Sequence, residues 1–161
     1  MPLFELDDGT KLTQSRAILR YFAKVHGFEA DNDMDFYRAE SMYGHFGEDF
    51  LARGMFKVWY MPDGEEKNKA LDELFDKQVP EFFTRADSWV AGKKYLLGDK
   101  LTFYDFAIAG FFHNMVLNER NPLAARWAAA WEKAPENLKK YVATFGDEFK
   151  DYLANRPKNT L

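Results

Sequence analysis

The hydrophobic positions of this chain follow two different spacings, one typical of strands in residues 2–12 and one typical of helices from residue 17 onward. Residues 2–6 and 10–12 are short apolar runs separated by Asp7-Asp8-Gly9, which predicts two strands joined by a tight turn. Residues 17–25 then place apolar side chains at helical spacing, and Gly27 follows them. The first part of the chain is therefore predicted to be a strand, strand, helix unit.

From residue 34 onward, apolar residues recur every three or four positions, which predicts helices to the end of the chain. Residues 28–33 are polar and predict a linker between the two parts. Pro80 lies inside one predicted helix, where the missing amide predicts a kink. The predicted helices cover residues 34–60, 65–90, 103–117, 123–131 and 135–153.

The segment after Thr102 is predicted to be the central helix. Thr102 and Asp105 have the spacing of a capping box, in which each side chain bonds the backbone amide of the other residue. The residues that follow are almost all apolar through Leu117, so no face of this helix is suited to water. Other helices must surround it, and the predicted fold class is mostly α.

Composition narrows the classes of protein and partner. The 161 residues suffice for one core, and a hydrophobic content of 47% excludes a disordered chain. A net charge of −4 without a long basic run argues against binding to nucleic acid. The chain has no cysteine, no signal-peptide pattern and no apolar run that could span a membrane. We expect an intracellular protein, in the cytoplasm or in an organelle assembly.

Three segments together resemble the glutathione transferases, the cytosolic sigma-like ones especially. They are residues 1–5 (MPLFE) together with residues 12–21 (LTQSRAILRY), residues 97–105 with the capping box, and the closing residues 152–157 (YLANRP). The resemblance implies a partial thioredoxin-like β-β-α unit followed by the family's all-helical C-terminal domain. Residues 1–27 would be the thioredoxin-like remnant, 28–33 the linker and 34–161 the helical domain.

The resemblance also implies a residual glutathione site. Gln14 and Ser15 match the pair that holds the γ-glutamyl end, and a helix start suits a carboxylate. The alternative is that Thr13 or Ser15 only caps the helix. Asp49 matches an acid that reaches glutathione across a dimer, although a solvated helix face explains it equally well. The glutathione-binding residues implied are Met1, Lys11, Gln14, Ser15 and Asp49. Arg16 could add positive charge beside Lys11, but surface charge explains Lys11 equally well and Arg16 better.

Further site residues follow from the same resemblance. Met55, Phe56 and Trp59 match the helix end that lines the electrophile pocket, although aromatic side chains at this spacing are more often core. His45 with two following acids has helical spacing for a metal but lacks a second pair of ligands, so we expect no metal site. The family's catalytic Tyr, Ser or Cys has no counterpart here, and we expect no catalytic residue.

Three functions remain open at this point. The favoured one is a non-catalytic structural or binding subunit of a larger assembly. The alternatives are a fragment of an active transferase that conjugates glutathione to electrophiles, and a module that binds glutathione or an apolar ligand without turnover. In the family, the strand at residues 3–6 lies inside a larger sheet, so here its open edge predicts a protein partner or a homodimer that covers it.

Overall fold

The chain begins with a two-stranded antiparallel hairpin. The computed structural model describes residues 2–157; β1 (Leu3–Glu5) pairs with β2 (Lys11–Thr13), so that Phe4 lies opposite Leu12. The amide of Leu6 donates to the carbonyl of Thr10, and Gly9 adopts a φ of 83°, as a three-residue loop with a bulge requires. The predicted turn is confirmed; β1 is shorter than predicted, and β2 has the predicted length but begins one residue later.

Helix α1 (Ser15–His26) completes this first unit. Gly27 ends it in the left-handed conformation, with a φ of 77°, and its amide donates to the carbonyl of Ala23. Glycine tolerates this conformation because it has no Cβ, which explains why the helix stops here. The strand, strand, helix order is as predicted. The assignment of residues 1–27, 28–33 and 34–161 to two domains stays a prediction.

The predicted helix at residues 34–60 is a continuous helical stretch with a change of winding in its middle. Helix α2 passes into a π-helical segment and then into a short α3. The buried residues Phe46, Phe50 and Met55 are spaced by four and then five positions, which the wider π turn keeps on one face. The three segments are α2 (Asp33–Gly44), His45–Met55 and α3 (Phe56–Trp59).

The predicted helix at residues 65–90 is also irregular at the expected place. Pro80 lies in the first turn of α5, and π-helical bonding occupies the turn before it. Because proline has no amide to donate, α-helical bonding is interrupted at this point. The segments are α4 (Glu65–Glu73), Leu74–Gln78 and α5 (Val79–Val90).

The remaining helices are α6 (Phe103–Phe111) with a π-helical end at Phe112–Val116, α7 (Ala124–Glu132), α8 (Glu136–Glu148) and α9 (Lys150–Asn155). The prediction of one helix over 135–153 was wrong, because Phe149 separates α8 from α9. Its ring packs against Phe145 at 4.6 Å and Phe106 at 5.3 Å between ring centroids. The break therefore accompanies a tertiary contact that local spacing does not encode.

Helix α6 is the centre of the core, as predicted. Ile108 and Ala109 are fully enclosed, and Phe111 packs edge-on against Phe50 at 5.8 Å. Phe50 in turn stacks on Phe82 of α5 at 4.1 Å. These aromatic contacts join the long central helices around α6. Within residues 2–157, no helix combines the length and apolar character that crossing a bilayer requires.

Candidate functional site at the start of helix α1

The start of α1 has an unusual backbone. Gln14 occupies the N-cap position with a φ of 68° and a ψ of 108°, and among the described residues no other non-glycine has a positive φ. Its side chain makes no capping hydrogen bond, and the first turn of α1 contains no acid. A residue whose backbone is held in such a sparsely populated φ/ψ region destabilises the fold by about 1–3 kcal/mol, and such residues occur often at ligand sites.

The alternative reading of this segment, a helix capped by Thr13 or Ser15, was wrong. Gln14 is the N-cap residue, and Ser15 is the first residue of the helix. The left-handed Gln14 turns the chain sharply from β2 into α1, so the first-turn amides lack a side-chain acceptor from the N-cap. These amides and the positive end of the helix can accept a carboxylate.

The two basic residues near this helix start, Lys11 and Arg16, have different surroundings. Lys11 is exposed and lies 3.8 Å from Glu5 across the hairpin. Arg16 is half-buried: it contacts Glu40 and lies over the ring of Tyr43, at 4.5 Å from the centroid. The reading of Arg16 as a surface charge was therefore wrong. Met1 lies outside the described residues, so its role stays a prediction.

Asp49 lies on the exposed side of the π-helical segment. Its carboxylate contacts Nδ1 of His45 and Nη1 of Arg53, each at 3.0 Å, and Arg85 of α5 reaches the same His45 nitrogen at 2.9 Å. Asp49 is therefore engaged by neighbours on its own helix. In residues 2–157, no group of three His, Asp or Glu side chains could hold a metal ion.

The three electrophile-pocket candidates differ in exposure. Met55 is buried in the core, Phe56 is exposed and Trp59 is half-buried. Phe56 contacts the exposed Tyr60, with 6.3 Å between ring centroids. The structure therefore does not bring the three side chains to a common surface, and their role stays a prediction.

Sequence reasoning missed an ionic cluster that joins α1 to the helical part. Glu40 of α2 accepts hydrogen bonds from the guanidinium groups of Arg16 and Arg20 and, at 2.6 Å, from the hydroxyl of Tyr104 on α6. Burial alone would raise the pKa of the Glu40 carboxyl, but the bonds from Arg20 and Tyr104 and the charge of Arg16 hold it below its usual value. The sequence signal that could have indicated this cluster is the pair Arg16 and Arg20, which lie four positions apart on one face of α1.

A second buried cluster surrounds the capping box. The Asp105 carboxylate accepts from the backbone amide and hydroxyl of Thr102, at 2.9 and 2.8 Å, from the amide of Leu96 at 2.9 Å and from the hydroxyl of Tyr141 at 3.0 Å. Both members of the box are fully buried. Burial raises the pKa of Asp105, and the four donors oppose that shift. The cluster is structural, since all its members lie inside the core.

The buried tyrosine hydroxyls also donate hydrogen bonds to carboxylates within the fold. Tyr104 donates to Glu40, Tyr141 to Asp105 and Tyr95 to Glu148. Tyr21 and Tyr37 are 43% and 66% exposed on the surface of α1 and α2. A hydroxyl that stabilises a thiolate must be free to donate to it, so the three buried tyrosines serve the fold instead.

The comparisons with known proteins agree with this architecture. A family model described as "Glutathione S-transferase, C-terminal domain" matches residues 48–156, which is more than half of the chain. The chain belongs to the glutathione S-transferase family. Its fold is mostly α, with a partial thioredoxin-like unit before the helical bundle, as the resemblance implied.

Two curated relatives show how far the similarity extends along the chain. Bovine (Bos taurus) glutathione S-transferase Mu 1 is 35% identical over 104 residues, which are 64% of this chain and 45% of that protein. S-crystallin 3 of Enteroctopus dofleini is 26% identical over 136 residues, 78% of this chain and 63% of that protein. The chain thus spans about half to two thirds of the length of these curated relatives.

One solved transferase structure shows the same fold over the whole chain. The glutathione S-transferase Blo t 8 superposes with a TM-score of 0.79 at 21% identity, over 100% of this chain and 72% of that one. At this identity the superposition speaks for the fold and not for the substrate. It includes the hairpin and α1, which lie before the residues that the family model matches.

Proposed function

We propose that this transferase-family chain is a non-catalytic binding or structural subunit whose hairpin pairs with a strand of another chain. The observation that carries the proposal is the exposure of β1, where Leu3 is 61% and Phe4 43% accessible. The adjacent helix α1 exposes Leu19 and Val25 as well. An open strand edge beside exposed apolar side chains favours strand addition.

The hairpin register indicates which groups a partner strand would bond. Leu6 pairs with Thr10 by a hydrogen bond, and hydrogen-bonded pairs alternate along an antiparallel ladder. Phe4 should therefore bond Leu12, which leaves the amides of Leu3 and Glu5 directed away from β2. A partner strand would accept from these two amides.

The test is a proline at one of the outward positions. We expect Glu5→Pro to weaken association with the partner strand at least tenfold, because it removes one outward amide donor and places a ring on the strand edge. The hairpin itself should tolerate the proline, because the Glu5 amide does not bond β2. Size-exclusion chromatography with light scattering on the native assembly, together with hydrogen exchange of residues 3–5, measures both effects. Glu5→Ala is the matched control, since it removes the same side chain and keeps the amide.

Two results would contradict the partner-strand proposal. The first is rapid exchange of the Leu3 and Glu5 amides in the native assembly. The second is an assembly that Glu5→Pro leaves intact while the circular dichroism of the helices is unchanged. If the assembly contains a single polypeptide species, the partner is a second copy of this chain; otherwise mass spectrometry of the complex identifies a different subunit.

A second function is supported by the geometry of the α1 start: binding of glutathione through its γ-glutamyl carboxylate. The uncapped helix start at Gln14 and Ser15 suits this group, because amides and the helix dipole favour an anion there. Lys11, Asp49 and Met1 are the further candidates for contacts to the rest of the peptide. Whether the chain retains this binding is separate from whether it conjugates anything.

Glutathione binding is tested by titrating ¹⁵N-labelled protein with glutathione and following amide shifts. We expect shifts at Ser15 and the next two residues, and none at the start of α2, where Asn32 already caps the amide of Asp35 at 2.9 Å. Ser15→Glu should abolish the shifts, because its carboxylate occupies the helix start, whereas the uncharged Ser15→Gln, which loses only the hydroxyl, should reduce them less. Equal shifts in both variants would contradict this site.

The remaining alternative is that the residues belong to an active transferase that conjugates glutathione to electrophiles. The curated transferases support it, since the chain aligns with only part of their length. The native protein should then conjugate glutathione to an electrophilic chloroarene, and peptide mapping should find sequence upstream of residue 1. Absence of turnover in a protein whose mapped terminus is Met1 or Pro2 would reject this alternative and favour the binding subunit.

A further inference from the structure

A groove lies between the π-helical end of α6 and helix α7. Its volume is about 520 Å³, within the range of small-molecule sites. Among the described residues, none that is implied in glutathione binding or in the electrophile pocket lines it. The residues that decide its chemistry are Val116, Leu117, Glu119, Ala128, Trp131 and Glu132.

The wall of this groove is apolar. Val116 is buried, whereas Leu117 beside it is 40% exposed. Trp131 is half-buried: its ring packs edge-on against Phe83 at 5.8 Å and lies 5.4 Å from Phe112, between ring centroids. The two phenylalanines hold the indole in place, and its accessible part borders the groove. An alkyl chain would therefore gain burial against this wall.

Helix α7 leaves room for a ligand because its residues at the groove are alanines. Ala124, Ala125 and Ala128 line it, and their spacing places them on one face of the helix. Each side chain is a single methyl group, so a ligand can lie close to the helix without displacing a longer side chain. The space by itself does not select a ligand; the charge of the rim does.

The rim of the groove is acidic. Glu119 and Glu132 both line it, and no lining residue in the described part of the chain is basic. None of the ion pairs found in residues 2–157 involves either carboxylate. Arg120 and Lys133 follow the two glutamates in sequence but do not line the groove. Lys139 donates to the backbone oxygen of Glu132 at 3.0 Å, and its charge is paired at 3.5 Å with an acid of its own helix.

We propose that this groove binds a lipophilic alkylammonium ion, with the alkyl chain on the apolar wall and the ammonium at the acidic rim. The carboxylates of Glu119 and Glu132 accept charge-assisted hydrogen bonds from such a group, and an indole such as that of Trp131 attracts a cation. The same rim repels an anion. This inference is independent of the strand edge and of the α1 start.

The experiment is a calorimetric titration of the full chain with octylammonium, 1-octanol and octanoate, which share one alkyl chain and differ in the charge of the head group. We expect octylammonium to bind one-to-one and at least tenfold more tightly than 1-octanol, because its head group gains charged acceptors. Octanoate should bind more weakly than the alcohol. The preference for octylammonium should decrease as salt is added, since the two glutamates are exposed.

A pair of charge variants locates the ammonium. Glu119→Gln combined with Glu132→Gln should bring the affinities for octylammonium and 1-octanol to within about threefold of each other. The matched control combines Glu66→Gln and Glu73→Gln, because these glutamates of α4 are exposed and do not line the groove. The control changes the net charge by the same amount and should keep the preference.

A second pair of variants locates the alkyl chain. Ala128→Leu should weaken the binding of octylammonium and 1-octanol at least tenfold, because the larger side chain fills the groove. Ala129 is the next exposed alanine of α7 and does not line the groove, so Ala129→Leu should leave both affinities unchanged. Leucine and alanine are both good helix formers, so both variants should keep the native circular dichroism.

The proposal fails on any of four results. They are no saturable binding of octylammonium, equal affinity for octylammonium and 1-octanol, a preference that the paired glutamine variant at the rim leaves unchanged, and undiminished binding to folded Ala128→Leu. Light scattering identifies a different occupant: if the groove seats a second copy of this chain, Ala128→Leu dissociates a dimer that octylammonium does not displace. That result also rejects the small-molecule site.

Discussion

Replacing Asp105 with alanine is expected to lower the free energy of unfolding by about 3–5 kcal/mol, because several buried donors lose their acceptor at once. The carboxylate bonds the Thr102 amide and hydroxyl, the Leu96 amide and the Tyr141 hydroxyl. It thereby connects the start of α6 to the preceding loop and to α8. In a chain of this size, such a loss lowers the melting temperature by about 10 °C.

Urea unfolding and thermal melting measure this effect, and the same loop provides the control. Asp99 is an exposed acid just before the capping box, and Asp99→Ala should change the free energy of unfolding by no more than about 0.5 kcal/mol. Thr102→Ala should fall between the two, because it removes one hydroxyl and leaves the other donors paired. If Asp105→Ala lost less than about 1 kcal/mol, the cluster would not be a major source of stability.

Replacing Glu40 with glutamine is expected to loosen α1 and the hairpin from the helical part. Two guanidinium groups and the Tyr104 hydroxyl would lose a charged acceptor, and since these groups are partly exposed the loss is about 2–3 kcal/mol. Amides of α1 should then exchange about thirtyfold faster or more, while the amides of α6 around Ile108 keep their protection. Hydrogen exchange read by mass spectrometry resolves the two regions.

The same substitution should change the acid dependence of stability. The folded-state pKa of Glu40 is held below its usual value of 4.5, so the unfolded chain binds more protons at acid pH. Stability from Glu40 is therefore complete above pH of about 4.5 and is lost as the pH falls through the folded-state pKa. Glu40→Gln should make the melting temperature less dependent on pH in that window.

The control for the ionic cluster at Glu40 is Glu48, which pairs with Arg16 at 3.6 Å but is 66% exposed. Exposed pairs contribute little, so Glu48→Gln should leave the exchange of α1 nearly unchanged. Uniform acceleration of exchange across α1 and α6 in Glu40→Gln would mean that the cluster stabilises the whole fold rather than one contact.

Several elements could be predicted because their cause lies within a few residues. Asp7-Asp8-Gly9 forms its turn and Gly27 ends α1 through backbone sterics, which depend on residue type alone. The bonds between Thr102 and Asp105 span three positions, and the apolar run after them could only be buried. The resemblance to the transferases followed from the same segments, and the family comparison confirmed it.

Other features are set by the positions of residues far apart in the chain. Glu40 meets Arg16 and Arg20 only because α2 packs beside α1, and Phe149 breaks a helix where its ring meets Phe106. The backbone of Gln14 could not be deduced either, since a positive φ is rare for that residue type.

The sequence by itself thus determined most of the helices, the capping box of α6, the end of α1 at Gly27, the hairpin turn, the buried centre at α6 and the family. Each of these depends on spacing or on the conformational range of single residues. Tertiary structure alone decided the ionic cluster at Glu40, the packing of Phe149 on Phe106 and Phe145, and the exposure of Leu3 and Phe4 on β1. These depend on the angles and distances at which helices pack, and many side-chain pairs across the chain set those together.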